Sequence, residues 1–187
     1  LMGGYDKFNA MLDSIFQLPP TFDDSYYGFT IHEIREMQIM NMGNYAHGNQ
    51  PIQHMIYLYD YSRQPWKAQY WVREVMDRLY TAQPDGYCGD EDNGQTSAWY
   101  VFSALGFYPV CPGSTQYMIG APYFHKVKIQ LENGKTVTIR AEKNNKDNRF
   151  IQHITMNEQP YPHYYLEHEQ LITGPEIDFT MGDKPVK

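Results

Sequence analysis

The sequence predicts a mainly α protein with an antiparallel β annex, with helices in residues 1–111 and a small β module in residues 112–187. Three observations point that way. Apolar residues recur at spacings of three and four as far as Tyr108, alternate from Cys111 onward, and are interrupted by glycine and proline at regular breaks.

The elements follow in order. Leu1-Met2-Gly3-Gly4 reads as the end of a helix with glycine at its C-terminal cap, which marks the chain as a piece of a longer one. Tyr5, Phe8, Leu12, Ile15 and Phe16 form one apolar stripe, and Pro19-Pro20 closes it. A shorter helix is expected over residues 32–42, with Ile31, Ile34 and Met40 on one side and Gly43 as its stop. Gly48-Asn49-Gln50-Pro51 opens the next helix, because proline suits a first helical turn, and Ile52, Met55, Ile56 and Tyr59 face inward. Pro65 opens its partner, which carries Trp66, Tyr70, Arg73, Met76 and Leu79 at helical spacing. After a loop over residues 83–94, Ala98, Trp99, Phe102 and Leu105 gather on a last helix that Gly106 terminates. Short connectors between such helices imply an antiparallel helical array, or part of a helical toroid. In the β part, Val127, Ile129 and Leu131 face one way, Asn133-Gly134 supplies a two-residue hairpin turn, and Val137 and Ile139 return. Residues 150–154, 164–172 and 177–179 are further strand candidates.

Composition narrows the function classes. The 187 residues carry a formal net charge of -7, and all of the excess lies in residues 1–111, which hold 13 acidic and 6 basic side chains. Nucleic acid is an unsuitable partner, because neutralising phosphates requires clustered Lys and Arg. No apolar run approaches the roughly 18 residues needed to cross a bilayer. The 17 Tyr, 9 Phe and 3 Trp suit apolar packing and hydroxyl-rich ligands alike. A helix of about 11 residues separates Cys88 from Cys111, which favours two unpaired thiols and leaves the redox compartment open.

Three strings could carry chemistry. In Gly89-Asp90-Glu91-Asp92-Asn93-Gly94-Gln95, successive carboxylates repel one another, so the fold must supply a cation, donors or a ligand, or leave them solvated. They precede a helix whose N-terminus favours the ionised form, and an ionised carboxylate there can activate water as a general base. An acidic cap loop at Asn93 accounts for the same residues. The helix-loop-helix calcium signature fails here, since its fifth and sixth positions from Asp90 are Gly94 and Gln95. His32 and Glu33 are adjacent at a helix start among apolar neighbours, whereas Glu36 replaces the second His that a zinc helix needs. Tyr45-Ala46-His47-Gly48-Asn49-Gln50-Pro51, with His54, gathers amides and histidines where a polyol could be held; Asn49 could equally be only a cap. The other histidines read as structural.

Taken in order, these strings resemble the C-terminal portion of the catalytic domain of glycoside hydrolase family 92, the bacterial calcium-dependent exo-α-mannosidases. The similarity is carried by the His32-Glu33 segment, Gly48-Asn49-Gln50-Pro51, the helix from Pro65-Trp66-Lys67, residues 89–99, and Val101-Phe102-Ser103-Ala104-Leu105-Gly106-Phe107-Tyr108-Pro109. The resemblance implies the last helices of an (α/α)6 toroid followed by a β module packed on them. It implies inverting hydrolysis of terminal α-linked mannose, most often α-1,2, assisted by Ca²⁺ and carried out on glycans outside the cytoplasm, in the periplasm or at the cell surface. Asp90 and Asp92 match the family's general-base aspartates. His32 and Glu33 match residues lining the terminal mannose subsite, Asn49 and Gln50 match a sugar-contacting string in which relatives carry Glu in place of Gln50, and Glu33 is the candidate metal ligand. The family's general acid lies upstream of Leu1, so the chain is expected to need the N-terminal part of the same protein and to be inactive alone. Another toroid glycosidase, a polysaccharide lyase and a non-catalytic carbohydrate-binding module are the rival readings.

Overall fold

The computed structural model describes residues 2–187, so Leu1, with which the expected helix end begins, lies outside the described residues. Gly4 instead opens a helix, as the N-cap of α1 (Tyr5–Gln17), which buries Asn9 and Leu12. The second helix, α2 (His32–Met40), stops before Gly43 because Asn41 takes the left-handed conformation at φ 49° and returns its N–H to Met37. The expected helix after Pro51 is a 3-10 helix, Gln50–Tyr57, running into the single turn α3 (Leu58–Tyr61). Its repeat of three eclipses Gln50 with Gln53, and both amides reach Thr96 Oγ1, at 3.2 and 3.1 Å. α4 (Pro65–Leu79) and α5 (Gln95–Leu105) complete the larger helices, and Gly106, at φ 106°, ends α5 by bonding the Phe102 and Ser103 carbonyls.

Two sheets follow. The first joins β1 (Phe107–Tyr108), β2 (Gln116–Ile119) and β7 (Tyr165–Glu167) in that order. The second has β3 (Lys126–Gln130), β4 (Thr136–Arg140), β8 (Glu176–Gly182), β5 (Phe150–Met156) and β6 (Gln159–Pro160) side by side. Three sequence expectations change. The module is not wholly antiparallel, because β8 enters beside β4 in the same direction after a crossover through residues 141–175. Residues 164–172 do not form one strand, since β7 gives way to the helical turn α6 (His168–Leu171). The β3–β4 hairpin has a three-residue loop: Gln130 opposes Thr136, Leu131 N–H bonds the Lys135 carbonyl at 2.8 Å, and Gly134 takes φ 80°.

The core is in two parts. One is helical, built on Tyr45, Tyr57, Tyr59, Val72, Val75 and Trp99; the other lies under the sheets, on Ile119, Ile139, Leu166 and Ile177. α4 ties them together. Its Arg73 donates to the Pro122 carbonyl at 3.0 Å and to Asn144 Oδ1 at 2.7 Å, Gln69 accepts from the Ile151 amide at 3.0 Å, and Glu74 pairs with Arg149 at 2.6 Å. The loops at residues 41–50 and 87–94 meet at Gly48 and Gly89, and the acidic string sits on the second of them, beside the start of α2.

Candidate functional site

Two glycines bring the site together. A Cβ on Gly89 would fall 2.6 Å from Gly48 Cα, and one on Gly48 would fall 2.9 Å from the Cys88 carbonyl, so the two loops lie backbone against backbone. Gln50, buried, fastens them: its Nε2 donates to the Asp90 carbonyl at 2.6 Å and to Thr96 Oγ1. Thr96 Oγ1 donates to the same carbonyl at 3.1 Å.

The acidic loop divides its three carboxylates among three tasks. Glu91 serves the helix, with Oε2 accepting from the Gly94 amide at 2.6 Å and Oε1 from the amide and hydroxyl of Ser97 at 3.0 and 2.6 Å. The Ser97 hydroxyl and amide hold the Glu91 carboxyl below its usual range. The cap therefore comes from Glu91, with Gly94 at the N-cap position, rather than from Asn93. Asp90 turns to α2, where its Oδ2 is 3.5 Å from His32 Nε2, and His32 Nδ1 lies 3.4 Å from Glu33 Oε2. Asp92, Asn93 and Gly94 take φ of 45°, 57° and 88° in succession, a left-handed turn that Asp, Asn and Gly tolerate best. That turn places Asp92 on the wall of an open concavity of about 690 Å³ that Asn49, Gln50 and Pro51 also line.

The residues matched to the family fall into two groups, joined by the loop that carries Asp90 and Asp92. His32, Glu33 and Asp90 form the first, and Asp92, Asn49 and Gln50 the second. Gln50 lines the concavity with its amide nitrogen already committed to the loop. His47 belongs to neither group. It is fully buried, its two ring nitrogens each lie 2.7 Å from a tyrosine hydroxyl, of Tyr45 and Tyr80, and burial pushes its pKa down to about 3. His54 is exposed.

Glu36 joins the first group although the sequence reading gave it no part. Its Oε2 covers the glycine contact, 2.7 to 2.8 Å from where a Cβ on Gly89 or Gly48 would stand. Partial burial pushes its carboxyl pKa up, His32 opposes that, and the charges of Asp90 and Glu33 add to it. The available signal was the spacing of His32 and Glu36, four apart on one helical face. Among the described residues no group of three or more His, Cys, Asp or Glu side chains could hold a metal ion.

The comparisons with known proteins agree on one family. The family model for the glycosyl hydrolase family 92 catalytic domain matches residues 1–183. The structure of a family GH92 inverting mannosidase from Bacteroides thetaiotaomicron is 54% identical, with a TM-score of 0.82, over 98% of this chain and 25% of that one. A family GH92 α-mannosidase of the same organism, in complex with mannoimidazole, is 34% identical with a TM-score of 0.85 over 98% and 23% of the two chains. A protein of Arthroderma benhamiae described as an uncharacterized secreted glycosidase is 26% identical over 185 residues, 97% of this chain and 21% of its own length. The chain therefore spans about a quarter of the length of these relatives.

Proposed function

We propose that this chain, which belongs to glycosyl hydrolase family 92, builds one wall of the active site of an inverting α-mannosidase that releases terminal, α-1,2-linked mannose from glycans. The observation that carries this reading is the placement of Asp92 on a concavity beside Asn49 and Gln50, with Asp90, His32 and Glu33 on the adjoining surface. Membership in a glycosyl hydrolase family favours hydrolysis over the elimination that a lyase performs.

Inversion needs one carboxylate to take a proton from water as the water attacks the anomeric carbon, while a carboxylic acid on the other side protonates the departing oxygen. Asp92 is our general base. Asp90 lies within 3.5 Å of His32 and is the more engaged of the two, which suits it to orient Asp92's water or share its charge. His32 and Glu33 offer a ring edge and a carboxylate for the hydroxyls of a mannosyl unit. The general acid is assigned to a segment outside the chain. Ca²⁺, which the resemblance implies, takes six to eight oxygen ligands and would help hold a distorted sugar ring through its hydroxyls. The donors among the described residues do not complete such a site, so Glu33 would be one ligand among several from elsewhere.

The partners are mannose-containing glycans and the upstream part of the same protein. We place the activity outside the cytoplasm, a reading supported by the secreted relative. No helix among the described residues is long and apolar enough to cross a membrane. The test is a mannose-release assay on α-1,2-mannobiose. The chain alone should release none, whereas a chimera joining it to the remainder of the 54% identical mannosidase should release β-mannose. Robust release by the chain alone would contradict the placement of the acid, and release of α-mannose would rule out inversion.

A further inference from the structure

Apart from the catalytic face, the turn between α3 and α4 presents an imbalance of hydrogen-bonding groups. Both carboxylate oxygens of Asp60 and the Oε1 of Gln64 are buried with no hydrogen-bond partner among the described residues. All three are acceptors. The backbone joins the two residues closely, since the Gln64 amide bonds the Tyr59 carbonyl at 3.0 Å. Buried polar atoms are satisfied in the great majority of cases, and a buried carboxylate without a donor is among the costliest exceptions.

No neighbouring donor among the described residues reaches these atoms. Arg63 lies 4.5 Å over the ring of Tyr5, and Lys67 pairs with Asp13 at 2.5 Å. Tyr59 donates to Asp13, and Ser62 Oγ is bonded to Asn9 and to the Tyr59 carbonyl. The remaining titratable groups within range are Tyr57, whose hydroxyl is bonded to Ser103, and Tyr61, which is 47% exposed at the surface of the turn. Burial pushes the Asp60 carboxyl far above its usual range, as it must while nothing offsets the charge.

We propose that the α3–α4 turn is an interaction surface that receives a Lys or Arg side chain from a polypeptide segment beyond these 187 residues, with Asp60 taking the charge and Gln64 one further N–H. A charged donor is required because a neutral one leaves the carboxylate uncompensated, and a guanidinium fork matches two carboxylate oxygens best. A polypeptide source is favoured because the chain makes up only about a quarter of the length of its relatives.

The test is a reversal of sign. In the chain alone at pH 8, Asp60→Asn removes a buried carboxyl that can be neither ionised nor protonated there without cost, and should raise Tm by roughly 3–6 °C. In the chimera with the remainder of the 54% identical mannosidase, the same substitution removes half of an ion pair and should lower Tm. A rise in both contexts would mean that no segment pairs with Asp60, and a fall in both would mean that its partner lies within the chain; either overturns the proposal. Loss of the chimera's reversal on adding a chelator would identify a metal ion as the occupant and overturn it as well. Should the chimeric variant fail to fold, the ¹³Cγ resonance of Asp60 in the unsubstituted proteins answers the same question. It should titrate at a higher pH in the chain than in the chimera, and the same elevated titration in both would count against the pairing.

Discussion

Asp90 and Asp92 are two positions apart, yet the left-handed turn that begins at Asp92 sends them to different neighbours. Asp90 faces His32, and Asp92 faces the concavity, so replacing them should have unlike consequences. Asp92→Asn in the chimera should lower kcat by about 10² to 10⁴, with Tm unchanged because the residue is exposed. A drop in Tm accompanying the loss would mean that the carboxylate is structural. Gly89→Ala makes the complementary case. Its Cβ would meet Gly48 Cα at 2.6 Å, a backbone atom that cannot swing aside, so the loops must part and carry Asp90 away from His32. A cost of about 1–3 kcal/mol in denaturant unfolding is expected, along with a loss of kcat larger than that shift would cause by unfolding alone. The acidic loop and the His32-Glu33 pair were legible in the sequence because charge clustering is a local property. Glu36 was legible only as a helical neighbour of His32, because its place over Gly48 and Gly89 comes from a contact among three segments far apart in the chain.

Among the elements, α5 depends on its loop more than on its own first turn. It has no acidic residue in that turn, and Gly94 at the N-cap has no side chain to offer, so Glu91 supplies the acceptors from three residues upstream. The Glu91 carboxyl is held below its usual range in the fold, so its stabilisation is complete above the unfolded pKa of about 4.3 and is lost as pH falls through the folded value. Glu91→Gln should therefore lower Tm at pH 7, and the gap from the unsubstituted chain should close as pH falls from 5 toward 3. A gap independent of pH would assign the cap to hydrogen bonding without charge. Helical periodicity anticipated α1, α2, α4 and α5, and alternation anticipated β3, β4, β5 and β8. Periodicity could not distinguish the 3-10 helix, because Gln50 and Gln53 are aligned by a partner on α5. It could not supply the direction of β8 either, since strand direction is set by the crossover rather than by the residues that pair.

At the scale of the whole molecule, two buried groups set opposing limits on stability. His47 is neutral in the folded core, with a pKa of about 3 against roughly 6.5 in the unfolded chain. The unfolded state therefore binds the extra proton, and stability falls as pH drops from 6.5 toward 3, by an amount on the order of 4 kcal/mol. Asp60 acts in the other direction. Its folded pKa is raised, so the folded chain holds the extra proton above the unfolded value of about 3.9, and stability falls as pH rises from there. Where both groups differ between the folded and unfolded states, from about pH 4 upward, the two slopes oppose each other, which predicts a flattened region with a decline on either side. Urea unfolding of the chain across pH 3–9 should show that shape. His47→Gln should remove most of the acid decline and Asp60→Asn the alkaline one, each leaving the other in place. If a cationic side chain covers Asp60 in the longer protein, the alkaline decline should vanish there without any substitution, while the acid decline, which arises in the Tyr45, Tyr80 and Trp99 core around His47, should remain.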